Sequence, residues 1–439
     1  MLARNIRLVF SANALILLCG VLTSLLSAWA LGPAGRGDLF VIVLWPPVCA
    51  LFVSLGMSQA HRYWVAKDPD CVSMLFSNAL LFALISGVVT VALAELIIPH
   101  LVGTRSPEVM RLVRIYLVNI PAALLQLLMI GLLEGARRFG WGGVSRLIFF
   151  GVQGVLYLGL WWAGKLTLET AALTMILSQF SSMLFSLIAV WRQLRPAWRP
   201  NWLVWKRTFY YGVRDYPGAV ADFATLRMDQ LLLGGLASSA AIGLYVVAVR
   251  ISEITAVLAS SVGDAMMPEM AAAKHAAKAD SLLARSLRLT VYAHLLVLVP
   301  LWLGAPFVLK FVYGASFLAA SDTLRVLLLA SVVLSVGGIV TSGLNGFGHP
   351  GLSTIARVAS AIVTVIALLT LLPRFGIVGG AVASLIGYSV MLIVAFFWLV
   401  HERELGFWSY LRPRRSDIPL VRLKSFAHLP VPETRNLET

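Results

Sequence analysis

Twelve runs along this chain are each apolar for about 20 residues or more: 8–31, 39–61, 72–98, 109–134, 142–163, 168–190, 208–236, 240–263, 284–304, 322–344, 352–372 and 377–400. A helix of about 20 residues crosses the roughly 30 Å of hydrocarbon in a bilayer. There, every backbone N–H and C=O must be bonded inside the segment, which leaves the helix as the form for such runs. Charged residues are 13% of the 439, against about 25% in a soluble domain, so polar side chains are too few to cover a water-facing globule. The expected fold class is an all-α polytopic membrane protein with 12 transmembrane helices. Arg4 and Arg7 ahead of a run ending in SAWA (27–30) imitate a signal peptide. That run is about 24 residues, longer than an h-region of roughly 7–15, and is expected to be the first span.

An even number of spans places both termini on one side. Twenty-two Lys and Arg fall on that side, among them Arg62, Lys67, Arg137, Arg138 and the run from Arg192 to Arg207. Five fall opposite: Arg36, Arg105, Lys165, Lys310 and Arg374. Positive charge marks the cytoplasmic side, so both termini are expected in the cytoplasm. The net charge of +15 is then a topology signal and not a footprint for nucleic acid.

The chain also matches itself at a shift near 207 residues. LFVSLGMSQAHRYWVAK (51–67) lies over LASSVGDAMMPEMAAAK (258–274), FGWGGVS (139–145) over FGHPGLS (347–353), and Gly37 over Gly243. Six spans per repeat is even, so both halves enter the membrane from the same face. Two parallel six-helix bundles about an axis normal to the membrane follow, with a cavity between them that opens alternately to either side. The expected domains are 1–207, 208–404 and a basic cytoplasmic tail, 405–439.

One span breaks the apolar rule. Residues 212–233, GVRDYPGAVADFATLRMDQLLL, carry Arg214, Asp215, Asp222, Arg227 and Asp229. Each charge at a helix centre facing lipid costs roughly 2.5–3.5 kcal/mol, so these must face protein or water. Asp215, Asp222 and Asp229 are spaced by seven and share one stripe, since a straight helix drifts only about 20° per heptad. The bundle cavity is its expected destination. Pro217 and Gly218 interrupt the stripe and suggest a hinge. Matching depths across the turn at 237–240 sets Arg250 between Asp222 and Asp229, and Glu253 near Arg227. Arg250 and Glu253 share a helix face. Two readings stay open: Asp229–Arg250 and Arg227–Glu253 as static ion pairs, or as working groups of a polar path. In the first half the polar candidates are Arg146, Gln126, Gln153, Asn13 and Asn78, and Arg146 fits equally a side chain snorkelling to headgroups.

Other chemistries find little support. Cys19, Cys49 and Cys71 show no CxxC spacing and the seven histidines no HExxH, so neither a disulfide framework nor a metal site is expected. GLWWAGKL (159–166) fits GxxxxGK but ends in Leu166, lacking the Ser or Thr that would hold magnesium. No cofactor is expected. A membrane glycosyltransferase or polymerase would need sizeable outer loops, and the outer loops here are short, so no catalytic residue is assigned.

Several stretches resemble the Wzx-type polysaccharide flippases of the multidrug/oligosaccharidyl-lipid/polysaccharide exporter superfamily. They are LGPAGRGDLFVIV (31–43), LGMSQAHRYW (55–64), RMDQLLLGGLASSAAIGLYVVAVRISEI (227–254), MPEMA (267–271), YGASFLAASDTLRVLLL (313–329), NGFGHPG (345–351) and LLPRFGIVGGAVAS (371–384). The resemblance implies a V of two six-helix bundles in the bacterial inner membrane, working by alternating access on an undecaprenyl-diphosphate-linked oligosaccharide. It also implies a place in O-antigen, exopolysaccharide or capsule assembly, beside the polymerase and glycosyltransferases of the same pathway. Asp229 and Arg250 match polar positions of the family pattern. Arginine suits a diphosphate, which points to Arg250 with Arg227 or Arg146 as phosphate contacts. Asp215, Asp222, Asp229 and Glu253 would then take a coupling proton or sodium ion. The alternative is a cation-coupled multidrug antiporter of the same superfamily, using the aspartates to bind organic cations.

Overall fold

The computed structural model describes residues 2–102, 105–271, 276–403 and 410, with side chains except at 2–14, 17, 139, 215, 255–265, 267–269, 271 and 276–278. The expected tail, 405–439, lies outside the described residues apart from Tyr410. Helices α1 (Leu2–Ser54), α2 (Met57–Lys67), α3 (Val72–Leu101), α4 (Pro107–Tyr116), α5 (Asn119–Gly135), α6 (Phe139–Trp162) and α7 (Leu168–Leu194) make the first half. The second half holds α8 (Trp202–Leu236), α9 (Ser239–Ala271), α10 (Ala276–Leu303), α11 (Ala305–Val308), α12 (Ser321–Gly346) and α13 (Pro350–Arg403).

Two of these helices are folded back on themselves at a glycine. In α13, Gly376 leaves helical geometry at φ 56°, ψ −139°. Beyond it the chain reverses, because Ser360 Oγ donates to the Gly387 carbonyl at 2.8 Å, groups that a straight helix would set about 40 Å apart at 1.5 Å per residue. In α1 the break is Gly32, φ 64°, ψ −176°, a conformation that L side chains resist. Pro33 follows, preset for the first turn of the second limb.

Eight helices among the described residues are long and apolar enough to cross a membrane. Folding α1 and α13 in two accounts for ten of the twelve apolar runs, and α8 and α9 carry the other two. α8 falls short of the apolar requirement because it holds the charged groups. Elsewhere the outward faces are hydrocarbon, as on α3, where Leu84, Ile85, Val88 and Leu96 are exposed. That is the surface of a multi-span membrane protein.

The cores show how the halves meet. One buried cluster draws on both halves, with Leu26, Leu39, Ile42 and Tyr157 beside Leu233, Tyr245, Phe317 and Leu324. At the opposite end each half has its own. Met57, Leu75, Leu128 and Val190 pack together in the first half, and Met270, Leu287, Leu344 and Leu399 in the second. The halves are therefore fused at the end holding Gly32 and Gly376, and form separate cores at the end that carries the linker 195–201. This is the V expected for the fold class.

At the fused end the two glycines aligned by the internal repeat touch each other. A Cβ on Gly37 would fall 2.9 Å from Gly243 N, and one on Gly243 would fall 3.0 Å from Gly37 N. Equivalent positions in contact mark the axis that relates the halves. Beside them Arg105, expected only as an outer-loop charge, is almost fully buried. It donates to Asp38 at 3.3 Å, to Ser239 Oγ at 2.6 Å and to the carbonyls of Gly234 and Ala237 at 3.0 and 3.1 Å. One guanidinium thus ties the first half to the turn between α8 and α9.

Candidate functional site

A cavity of ≈ 380 Å³ lies between α1, α6 and α7 on one side and α8 and α9 on the other. Both limbs of α1 reach it, through Gly20, Thr23, Ser24 and Ser27 before the fold and Arg36, Phe40 and Pro47 after it. Its charged lining is three arginines, Arg36, Arg227 and Arg250, against one carboxylate, Glu253. Gln153 and Gln230 add amide donors and acceptors.

The charged groups form a bridge. Arg227 Nη1 donates to Glu253 Oε1 at 2.9 Å, and Arg250 Nη1 donates to Glu253 Oε2 at 3.3 Å. The first pair follows from depth matching across α8 and α9, and the second from their i, i+3 spacing. Arg250 has room because residue 20 is glycine: a Cβ there would fall 3.0 Å from Arg250 Cζ and closer still to Nη2. Arg36, on the first turn after Pro33, has Arg250, Tyr157 and Tyr313 as electrostatic neighbours. Its Nε is buried without a hydrogen-bond partner among the described residues. Arg36, expected as an outer-loop charge, lines the cavity instead, since Gly32 and Pro33 restart the helix early enough to draw it inside. The Gly-Pro pair was the available signal.

The acidic stripe is coherent but faces elsewhere. Asp229 is buried within the second half, where the Tyr245 hydroxyl donates to it, Ser384 Oγ donates at 3.4 Å, and the Gln230 amide donates at 2.7 Å. No Asp229–Arg250 pair forms among the described residues, because Glu253 is nearer to Arg250 and tyrosine takes the aspartate. Asp222, expected to lack a dedicated partner, accepts from Arg357 Nη1 of α13 at 3.1 Å. Neither aspartate lines the cavity. The stripe packs against α13, and the neighbouring face of α8, with Arg227 and Gln230, turns to the cavity. Arg357 was legible as an arginine inside an apolar run; Tyr245 and Ser384 carried no signal. The side chain of Asp215 lies outside the described residues, as does that of Asn13.

The remaining expectations also find their places. Arg146 does not reach the cavity; it stands 3.9 Å from Glu134, which also pairs with Arg62. Gln126 is satisfied inside the first half by Gln179, Ser145 and Ser182, and Asn78 by the backbone of Asn201. α8 runs unbroken through Pro217 and Gly218, so the non-helical breaks within long helices lie at Gly32 and Gly376 instead.

Comparison with known proteins places this geometry. The polysaccharide biosynthesis protein family matches residues 31–322, about two-thirds of the chain. A probable low-salt glycan biosynthesis flippase, Agl15, of Haloferax volcanii is 23% identical over 208 residues, 46% of this chain and 43% of the relative. The chain spans less than half the length of the curated relatives it matches. Among solved structures, the lipid II flippase MurJ in its inward closed conformation superposes with a TM-score of 0.77 at 16% identity, covering 89% of this chain and 87% of MurJ. An inward-facing multidrug resistance MATE family transporter of the MOP superfamily gives 0.73 at 17% identity, covering 89% and 94%. The chain belongs to the polysaccharide biosynthesis protein family, and its fold is the one seen in the MurJ and MATE structures.

Proposed function

We propose that this protein is a flippase that carries a lipid-linked oligosaccharide across the bacterial inner membrane by alternating access, for surface polysaccharide biosynthesis. The observation that carries the reading is the cavity between the halves, with three arginines and a single carboxylate. A diphosphate headgroup needs fixed cationic donors where little water competes, and guanidinium forks match its oxygens. Arg36, Arg227 and Arg250 are assigned to the diphosphate, with Arg36 in the place expected of Arg146. An undecaprenyl carrier fits the apolar flanks, the glycan fits the polar opening, and both termini face the cytoplasm. The moving units are 1–207 and 208–404.

Glu253 is the natural control group, because it holds the two arginines that the diphosphate must engage. A proton or sodium ion arriving at Glu253 weakens both pairs and frees Arg227 and Arg250 for substrate. Release of the ion restores the pairs and expels the anion. Asp229, one helix face behind, is a second coupling group. Asp222, held by Arg357, is assigned to packing α8 on α13. The rival antiporter of organic cations is disfavoured by the same lining, which repels its substrate.

Hydrogen bonds to charged groups contribute about 1.5–3 kcal/mol each, so loss of one arginine should reduce transport at least about tenfold. Arg36→Ala, Arg227→Ala and Arg250→Ala are each expected to deplete surface polysaccharide while protein abundance stays normal. Polysaccharide staining and immunoblotting of complemented deletion strains measure both. Normal polymer in all three, or drug sensitivity without polymer loss in the deletion strain, would overturn the reading.

A further inference from the structure

We propose that an anionic phospholipid binds in a groove between α3 and the start of α8, with an acyl chain in the groove and its headgroup on the inter-half linker. The groove has a volume of ≈ 520 Å³ and is walled by Leu81, Phe82 and Ile85 of α3 and by Pro200, Trp202 and Trp205 across from them. It opens on the hydrocarbon face, where Leu84 and Ile85 are exposed. Leu81 to Ile85 lie roughly 13–20 Å along α3 from Val72, at 1.5 Å per residue. The groove thus runs along α3 within its apolar span.

Its floor is built and not incidental. Asn78 and Asn201 bond reciprocally, Nδ2 to the Asn201 carbonyl at 2.9 Å and the Asn201 amide to Oδ1 at 3.1 Å. Ser77 Oγ accepts from the Arg199 amide at 2.8 Å, and Ser73 Oγ from the Ala197 amide at 3.0 Å. Asn201 also caps α8 by accepting from the Val204 amide at 3.0 Å. The second wall is a ladder of stacked rings, Trp202 on Trp205 at 4.6 Å and Trp205 on Phe209 at 5.1 Å. A site held this way needs little ordering when a chain enters.

Charge selects the headgroup. Arg199 and Lys206 adjoin the lining residues Pro200 and Trp205 along the chain, are exposed, and form no ion pair with a carboxylate among the described residues. Tryptophan beside arginine and lysine is the combination that settles at a headgroup layer, and basic pockets there take anionic lipid. Because α3 belongs to one half and α8 to the other, a lipid seated here spans the linker about which the halves move.

The test uses full-length protein in detergent, titrated with phosphatidylglycerol or with phosphatidylcholine of the same acyl chains and read by native mass spectrometry. One phosphatidylglycerol should be retained about tenfold more tightly than phosphatidylcholine, as roughly 1 kcal/mol per basic residue allows. The preference should vanish in R199Q/K206Q. Ile85→Trp, which fills the groove and leaves every charge in place, should also abolish retention, with size-exclusion profile and melting temperature unchanged. Phe82→Trp repeats this arm should Ile85→Trp fail to fold. Equal retention of the two lipids overturns the proposal. So does retention unaffected by filling the groove, which would mean surface charge alone holds the lipid.

Discussion

Glycine 20 illustrates how one absent side chain shapes the site. The Arg250 guanidinium occupies the space a Cβ would take, so the first limb of α1 and α9 approach through an arginine instead of through apolar packing. Gly20→Val should push Arg250 away from Glu253 and Arg36 while leaving the buried core untouched. Transport is expected to fall at least about tenfold, comparable to Arg250→Ala given the worth of a charged hydrogen bond, with normal abundance on immunoblots. Gly20→Val with full transport would show that Arg250 acts from another position. At this scale the sequence was partly legible. Arg227, Arg250 and Glu253 stood out because charge in an apolar run is costly. Arg36 did not, because a charge near a span end reads equally as a loop residue.

At the scale of elements, the seven-residue spacing in α8 held as geometry and misled as direction. A heptad puts Asp222 and Asp229 on one face, and both do meet α13 or α9 together. Periodicity says which residues share a face and nothing about which neighbour that face meets. The assignment of Asp222 to packing gives a clean expectation. The pair with Arg357 is partly exposed but lies within an apolar run, where an arginine without its partner is costly, so Asp222→Asn should lower thermal stability. Asp222→Arg sets two guanidinium groups together and should lower both melting temperature and transport. The exchange D222R/R357D should restore both. Restored stability without restored transport would make Asp222 a coupling group after all. α8 stays continuous through Pro217 and Gly218 for a related reason. Proline removes one backbone donor, and neighbouring helices can hold such a helix continuous, whereas the left-handed backbone at Gly32 and Gly376 admits no helix through it.

For the whole molecule, one core is shared by the halves at the end holding Gly32 and Gly376, while at the linker end the cores are separate and α2 meets α8 through Gly56, Gly212 and the Tyr63–Tyr211 stack. The alternating access proposed above requires the fused end to part, and Arg105 is a polar tie across it. Arg105→Gln removes the charge that Asp38, Ser239 and two carbonyls surround, so it should shift the population toward opening at that end. In a background lacking Cys19, Cys49 and Cys71, Ser27→Cys should react with an impermeant maleimide from the outer side severalfold faster in Arg105→Gln than in the parent. Equal labelling would mean that the Gly37–Gly243 contact and the shared apolar core hold the closure alone.

What the chain determines residue by residue was readable without a structure. The apolar runs follow from the cost of placing backbone and charge in hydrocarbon, which every segment meets alone. Only tertiary structure decided that Asp229 faces Tyr245 and Ser384, that Arg36 turns inward, and that Arg146 stays out. Those outcomes depend on which helix lies against which, and partners such as Asp229 and Ser384 sit 155 residues apart along the chain, beyond the reach of any local pattern.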